Sequence, residues 1–351
     1  MKPDFWKGRH VFVTGHTGFK GGWLCLWLHR MGAHVIGLSL PAPTEPSFFE
    51  QTRLADLVNH NEGDVRNMQV VANAIAAARP EIVFHLAAQP LVRYSYHNPV
   101  ETYATNVMGT VHVLEACRAI DSVRALVCVT SDKCYENREW VWPYRESDPM
   151  GGHDPYSSSK GAAELAIAAW RHSYPGGPGI ASVRAGNVIG GGDWAKDRLV
   201  PDIIRALMAD VPVRVRNPAS IRPWQHVLEA LSGYLFLGER LLEGRQDAAT
   251  AWNFGPSEED ARSVSWIVDQ MLTGWGSTGG WEQPDAVDLH EATLLRLDSS
   301  KARSKLGWKP KLSLNETLSI IVDWHKHVAH GGDAREISLR QIDEFALRGT
   351  A

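Results

Sequence analysis

Tyr156 and Lys160 stand four residues apart in Tyr156-Ser157-Ser158-Ser159-Lys160, which puts a phenol and an ammonium on one face of a helix. A free tyrosine, with a pKa of about 10, is a poor base at neutral pH. A neighbouring cation stabilises the phenolate and lowers that value, so the pair can take a hydroxyl proton from a substrate. Alone, the pattern is weak, because a tyrosine and a lysine at this spacing commonly form a chance surface pair. Far upstream, Gly15-His16-Thr17-Gly18-Phe19-Lys20-Gly21 carries glycines at its first, fourth and seventh positions. Between a strand and a helix, the first glycine permits a sharp turn and the second lets backbone approach a pyrophosphate. The third allows the helix to pack closely on the sheet. Backbone N–H groups at the helix start then face the phosphates. An ordinary glycine-rich connection is the plainer alternative, and the flanking pattern weighs against it. Together the motifs read as a dinucleotide cofactor beside a tyrosine base, with Lys160 and an oxidised nicotinamide both favouring phenolate.

Positioning those groups requires alternating strands and helices, and the first half of the chain has that rhythm. His10–Thr14 reads as the first strand, Phe19–Met31 as a helix stopped by Gly32, and His34–Leu38 as the second strand. Three prolines between Pro41 and Pro46 make a loop. Ile82–Leu86 and Ala125–Thr130 read as buried strands, with a helix over Val100–Ala119 between them. Asp154-Pro155 caps and starts the helix that carries Tyr156. The expected fold is α/β: a Rossmann-type parallel sheet with helices on both faces and a smaller, interleaved C-terminal substrate lobe. Residues 1–180 form the dinucleotide-binding part and 181–351 mainly the substrate lobe. Segments near 220–260, notably Thr250–Gly255, return to the sheet. Ser277–Gly280 reads as a mobile loop.

The 351 residues carry a formal net charge of −4, which gives no reason to expect nucleic-acid binding. Cys25, Cys117, Cys128 and Cys134 lack the paired spacing of a metal site or disulfide frame. No secretory signal or membrane-length apolar run is legible, so the chain reads as cytoplasmic, with no metal and no membrane partner. Acidic side chains that would hold an NAD ribose are missing at the end of the second strand. Ser39 stands there, Glu45 is the first acid beyond it, and no arginine is at hand for a 2′-phosphate. The residues therefore leave NAD and NADP open. Asp64-Val65 could reach an adenine or be a solvated turn, with neither favoured.

With these motifs in order, the chain resembles the extended short-chain dehydrogenase/reductase family, and within it the members that dehydrate nucleotide-linked hexoses. Besides the glycine loop and Tyr156–Lys160, the match includes Leu86-Ala87-Ala88-Gln89-Pro90, Asn106-Val107-Met108-Gly109-Thr110 and Thr130-Ser131-Asp132-Lys133-Cys134-Tyr135. Arg184-Ala185-Gly186-Asn187, Arg222-Pro223-Trp224-Gln225-His226-Val227, Asn253-Phe254-Gly255 and Leu306-Gly307-Trp308-Lys309-Pro310 extend it over nearly the whole length. The resemblance implies NAD, contacted by Gly15–Gly21, Ser39, Asp64, Val65, Leu86, Ala87, Ala88, Gln89, Asn106, Tyr156 and Lys160. It implies oxidation at sugar C4 by Tyr156 and Ser131, water loss across C5 and C6, and return of the hydride to C6. By the same resemblance Asp132 is the acid to the leaving hydroxyl. Lys133 stands where related dehydratases have a glutamate base, so it must be neutral to take the C5 proton, and an electrostatic or structural lysine remains its alternative. Cys134 points away from Lys133 if the strand continues, and is read as packing.

A nucleotide sugar brings two phosphates, which suit arginine's planar donor fork. By resemblance Arg222 anchors them, Arg198 helps, Asn187 holds the sugar-linked phosphate, and Gln89 and Arg93 line the hexose pocket. Within the resemblance, His16, Lys20 and Ser131-Asp132-Lys133 match the members that take CDP-glucose, a preference that residue chemistry by itself does not give. The competing readings are a nucleotide-sugar epimerase and a non-catalytic, cofactor-sensing interaction protein. Asp132 and Lys133 weigh against the first, since an epimerase needs no acid at C6, and the complete Ser131, Tyr156 and Lys160 set weighs against the second. Related enzymes pair two helices across a two-fold axis, so a homodimer is expected through Val107, Val111, Leu114, Ala163 and Ile167.

Overall fold

Apolar side chains alternate between two cores along each central strand. Val11, Val13, Ile82, Phe84, Ala125 and Val127 face one core; Phe12, Val83, Leu126 and Cys128 face the other. A strand buried on both faces needs helices above and below, as parallel sheets have. The computed structural model, which describes residue 2 and residues 4–284 and 294–348, has this arrangement. Its strands are β1 (His10–Thr14), β2 (His34–Ser39), β3 (Asn59–Glu62), β4 (Ile82–His85), β5 (Ala125–Val129), β6 (Gly179–Ala185), β7 (Asn187–Ile189), β8 (Val213–Arg214), β9 (Ile221–His226), β10 (Ala251–Phe254), β11 (Ala261–Ser263) and β12 (Trp281–Glu282). Seven of them form a parallel sheet in the order β10-β6-β5-β4-β1-β2-β3. β1 lies between β2 and β4, so the chain reverses its direction of growth there. Ligands of such sheets bind at that crevice, beyond the strands' carboxyl ends.

The helices that matter to the site are α1 (Phe19–Arg30), α2 (Phe48–Gln51), α3 (Met68–Ala78), α4 (Val92–His97), α5 (Pro99–Tyr103), α6 (Gly109–Arg118), α7 (Pro155–Ser173), α8 (Leu199–Met208) and α9 (Val227–Leu242). Core residues of α3, α6 and α7 cover one face of the sheet, and those of α1 and α9 cover the other. β7, β9 and β11 make a small second sheet, and β8 pairs with β12. The sheet does not stop at residue 180: β6 crosses that position and β10 is the edge strand beside it.

Most element boundaries agree with the sequence reading to within a residue or two. The expected Val100–Ala119 helix contains a π turn over Ala104–Met108 between α5 and α6, an irregularity that apolar periodicity does not show. β3 has no apolar run in Asn59-His60-Asn61-Glu62 and left no signal; it is an edge strand held by its pairing with β2. Cys134 does not lie on a continued strand. Asp132–Cys134 is a 3-10 turn, and Cys134 packs with Tyr135, Tyr144, Leu295 and Leu297. All four cysteines are free and buried. Among the described residues no helix is long and apolar enough to cross a membrane.

Candidate active site

Two cavities meet beyond the ends of β1 and β4. The first, about 720 Å³, is lined by Gly15, Thr17, Gly18, Lys20, Ser39, Asp64, Val65, Ala87 and the Pro41–Phe48 loop, among others. Its glycines meet the geometry of a dinucleotide loop. Gly15 has φ +76, and a Cβ there would lie 2.6 Å from the Ala87 nitrogen. A Cβ on Gly21 would lie 2.1 Å from the Gly15 carbonyl oxygen, so only glycine lets α1 approach the turn. The uncapped helix start and a cavity of this size suit NAD, whose pyrophosphate the loop's backbone N–H groups would hold.

The second cavity, about 310 Å³, is lined by Ser131, Asp132, Lys133, Tyr156 and Lys160 together with Arg93, Asn187, Arg198 and Arg222. α7 carries Tyr156 and Lys160 because Asp154 caps it, its carboxylate accepting from the Ser157 N–H at 2.9 Å, with Pro155 in the first turn. Lys160 Nζ lies 5.9 Å from the centre of the Tyr156 ring. Burial pushes the Tyr156 phenol up to about 12, opposed by a hydrogen bond with Ser131. Burial lowers Lys160 to about 8. In this state the phenol keeps its proton at neutral pH; a cationic nicotinamide beside it would lower its pKa.

The Asp132–Cys134 turn is started by Ser131, whose Oγ accepts from the Lys133 N–H at 3.2 Å. Ser131 Oγ also donates to Asp132 Oδ1 at 3.0 Å. Asp132 is buried, and Oδ2 has no partner among the described residues. Burial raises its pKa above the usual carboxylate range, against the opposing effects of Lys133, Ser131 and Arg222. A carboxyl held towards its protonated form, with one oxygen left open, suits a proton donor. Beneath it, Glu164 accepts from Thr130 Oγ1 at 2.5 Å and Ser182 Oγ at 2.8 Å, and pairs with Arg184 at 2.6 Å. Arg184 also donates to the Tyr135 hydroxyl at 2.8 Å. This buried network ties the end of β5 to α7 and so sets the Ser131 turn against Tyr156.

Several expected contacts lie elsewhere. The His16 imidazole is buried behind the loop, Nε2 2.7 Å from His60 Nδ1, in the space that a Cβ on Gly37 would take. It does not line the cofactor cavity, and burial lowers its pKa to about 4. Gln89 lines neither described cavity: its amide donates to Thr102 Oγ1 at 2.9 Å and its oxygen accepts from the Leu91 N–H. Asn106, on the π turn, accepts from the Gln89 N–H at 2.8 Å and donates to Ser159 Oγ at 2.9 Å. These two residues brace the site instead of lining it. Ser39 does line the cofactor cavity, but its hydroxyl pairs with Thr17 Oγ1 at 2.7 Å. Asp64 lines it beside Val65 and is paired with Arg66 at 2.6 Å. Leu86, Ala88 and Lys20 line both cavities.

The sequence reading missed Asp193, Trp194, Lys196 and Arg205, which reach the cofactor cavity from the far half of the chain. Arg205 donates there to the Trp194 and Ala195 carbonyls and pairs with Asp202. The one local signal was the triple glycine before Asp193.

The chain is 56% identical over 98% of its length to a CDP-glucose 4,6-dehydratase from Salmonella typhimurium, covering 98% of that protein. It is 25% identical to a UDP-glucose 4-epimerase from Mycolicibacterium smegmatis, over 90% of this chain and 98% of that one. Among solved structures, the fold matches a dTDP-glucose 4,6-dehydratase from Bacillus anthracis in complex with NAD. That match has a TM-score of 0.77 at 21% identity, over 92% of this chain and 98% of that one. An epimerase from Methanothermobacter thermautotrophicus matches with a TM-score of 0.81 at 23% identity, over 93% and 95% of the two chains. A family model matches residues 11–255. By that match and the near full-length similarity to the Salmonella protein, this chain belongs to the NAD dependent epimerase/dehydratase family.

Proposed function

We propose that the protein is a CDP-glucose 4,6-dehydratase that converts CDP-D-glucose to CDP-4-keto-6-deoxy-D-glucose. The observation that carries this is the buried Asp132 carboxyl beside Lys133, in the cavity that also holds Tyr156 and Lys160. A family member that only moved hydrogen at C4 would need no such acid. The similarity to the Salmonella dehydratase supports the same reading.

NAD, when held by the glycine loop and Lys160, would supply the hydride acceptor for sugar C4 and the hydride donor for C6. Tyr156 takes the C4 hydroxyl proton, assisted by the Ser131 hydroxyl, while Lys160 holds the phenolate form by its charge. The resulting ketone acidifies C5–H. Lys133 takes that proton, and Asp132 gives one to the C6 hydroxyl, which leaves as water. Arg222, Arg198 and Asn187 hold the diphosphate, and Arg93 borders the hexose. Offered CDP-, UDP- and dTDP-glucose carrying deuterium at C4, the enzyme should turn over the CDP sugar fastest. It should place deuterium at C6 without net reduction of NAD. Return of deuterium to C4 in an inverted sugar would make it an epimerase instead.

The protein acts as a homodimer on this reading, though not through all the residues first expected. Leu114, Ala163 and Ile167 are buried in the protomer core. Around these helices the exposed large apolar side chains are instead Tyr94 and Tyr96 on α4, Val100 and Tyr103 on α5, Met108 on the π turn and Leu165 on α7, with Val100 82% and Leu165 63% exposed. Large apolar side chains exposed in this number suit burial against a second copy. Light scattering should give twice the chain mass of 38.9 kDa, and Val100→Glu with Leu165→Glu should return the monomer mass. A wild-type monomer at all working concentrations would overturn the assignment.

A further inference from the structure

Three charged residues line both cavities among those described: Lys20, Asp193 and Arg198. Asp193 has no part in the chemistry above, yet its side chain is buried, at 4% exposure. Its Oδ2 lies 3.0 Å from Arg198 Nη1, and its Oδ1 accepts from the Ala195 N–H at 3.2 Å. The backbone that carries it is fixed on both sides. Before it, Gly192 has φ +76 and packs so closely on Phe48 that a Cβ would lie 2.5 Å from that ring. After it, the Trp194 indole donates to Gln51 Oε1 of α2 at 2.8 Å. Arg198 is different: its side chain is 32% exposed, and its guanidinium makes no other hydrogen bond or ion pair among the described residues.

A rigidly held carboxylate thus grips one end of a long, partly exposed guanidinium. Burying that carboxylate is costly without a cation beside it, so packing alone does not explain why an acid stands here. Lys20, Lys160 and Arg198 also crowd the same junction, where Asp132 and Asp193 oppose their mutual repulsion. An arginine confined to one place loses less freedom when it meets an anion.

We propose that Asp193 is a positioning residue: its ion pair holds the Arg198 guanidinium on the shared wall, where Arg198 meets the diphosphate of the nucleotide sugar. This rests on the nucleotide-sugar reading above. The test uses the full-length enzyme with NAD, titrated with CDP and then assayed with CDP-glucose. Asp193→Asn should weaken CDP about tenfold, with coupling between the pair of that order. KM for CDP-glucose should rise with it, while kcat falls much less. Asp193→Glu should restore most of the affinity. Arg198→Met should weaken CDP to the same extent, and adding Asp193→Asn to it should change nothing further. Equal CDP affinity in wild type and Asp193→Asn, or additive effects of the two substitutions, would overturn the proposal. Should Asp193→Asn not fold, wild-type CDP affinity in Arg198→Met, at a partly exposed side chain, would overturn it equally. Turnover of a sugar other than CDP-glucose would sink the functional reading while leaving the CDP-binding cycle intact; normal turnover with no coupling would sink only this one.

Discussion

Replacing Tyr156 by phenylalanine should lower turnover of CDP-glucose about 10³-fold, the range expected for loss of a general base. That is about 4 kcal/mol of barrier. The ring stays in its buried place on α7, and Ser131 keeps its bond to Asp132 at 3.0 Å. The glycine loop is untouched, so NAD binding should change little. The loss should therefore fall on kcat and appear in a single turnover, as failure of reduced nicotinamide absorbance to rise. A Phe variant that kept a tenth of wild-type turnover would show that another group takes the C4 proton. Because burial places the phenol at about 12, the wild-type rate should rise with pH until the phenolate form, favoured by its cationic neighbours, is filled. The substituted enzyme should lose that limb of the profile.

The Asp132→Asn enzyme should fail later in the reaction. The amide keeps the shape of the carboxyl but cannot give a proton to the leaving C6 hydroxyl. Turnover should fall about 10²-fold or more, with reduced cofactor accumulating on the enzyme because C4 oxidation still occurs. Stability gives a separate check on the fold. Burial raises the folded-state pKa of Asp132, so the folded chain binds this proton more tightly than the unfolded chain. The stability that this provides is present at low pH and is lost as pH rises through the raised value. Asn, which never ionises, should therefore melt no lower than wild type at neutral pH. If Asp132→Asn slows C4 oxidation and water loss equally, with no reduced cofactor appearing, Asp132 is not the acid at C6.

Local chemistry settled much of this protein from its sequence alone. Glycine at positions 15 and 21 is demanded by a turn with positive φ and by an approach so close that a Cβ on Gly21 would lie 2.1 Å from the Gly15 carbonyl oxygen, which are local requirements that spacing reveals. The same holds for the Asp154-Pro155 helix start and for Tyr156 and Lys160, whose separation is one helical turn. The sheet strands were legible because burial on both faces requires unbroken apolar runs, as in Ala125–Val129. What the sequence could not decide depends on partners distant along the chain. His16 turns inward because β3 brings His60 to it across 44 residues, and β3 itself is an edge strand with no apolar signature. Gln89 and Asn106 satisfy each other and Ser159 across the π turn, which takes them off the cavity walls. Leu114 and Ile167 look like surface stripes on isolated helices, but the sheet takes them into its core. Asp193 and Arg198 reach the junction of the cavities only once the segment after β7 folds back over the ends of β1 and β4. Spacing along a chain encodes neighbours within a turn or a strand; which side chains face a shared cavity is set by packing between elements, and only the tertiary structure supplies it.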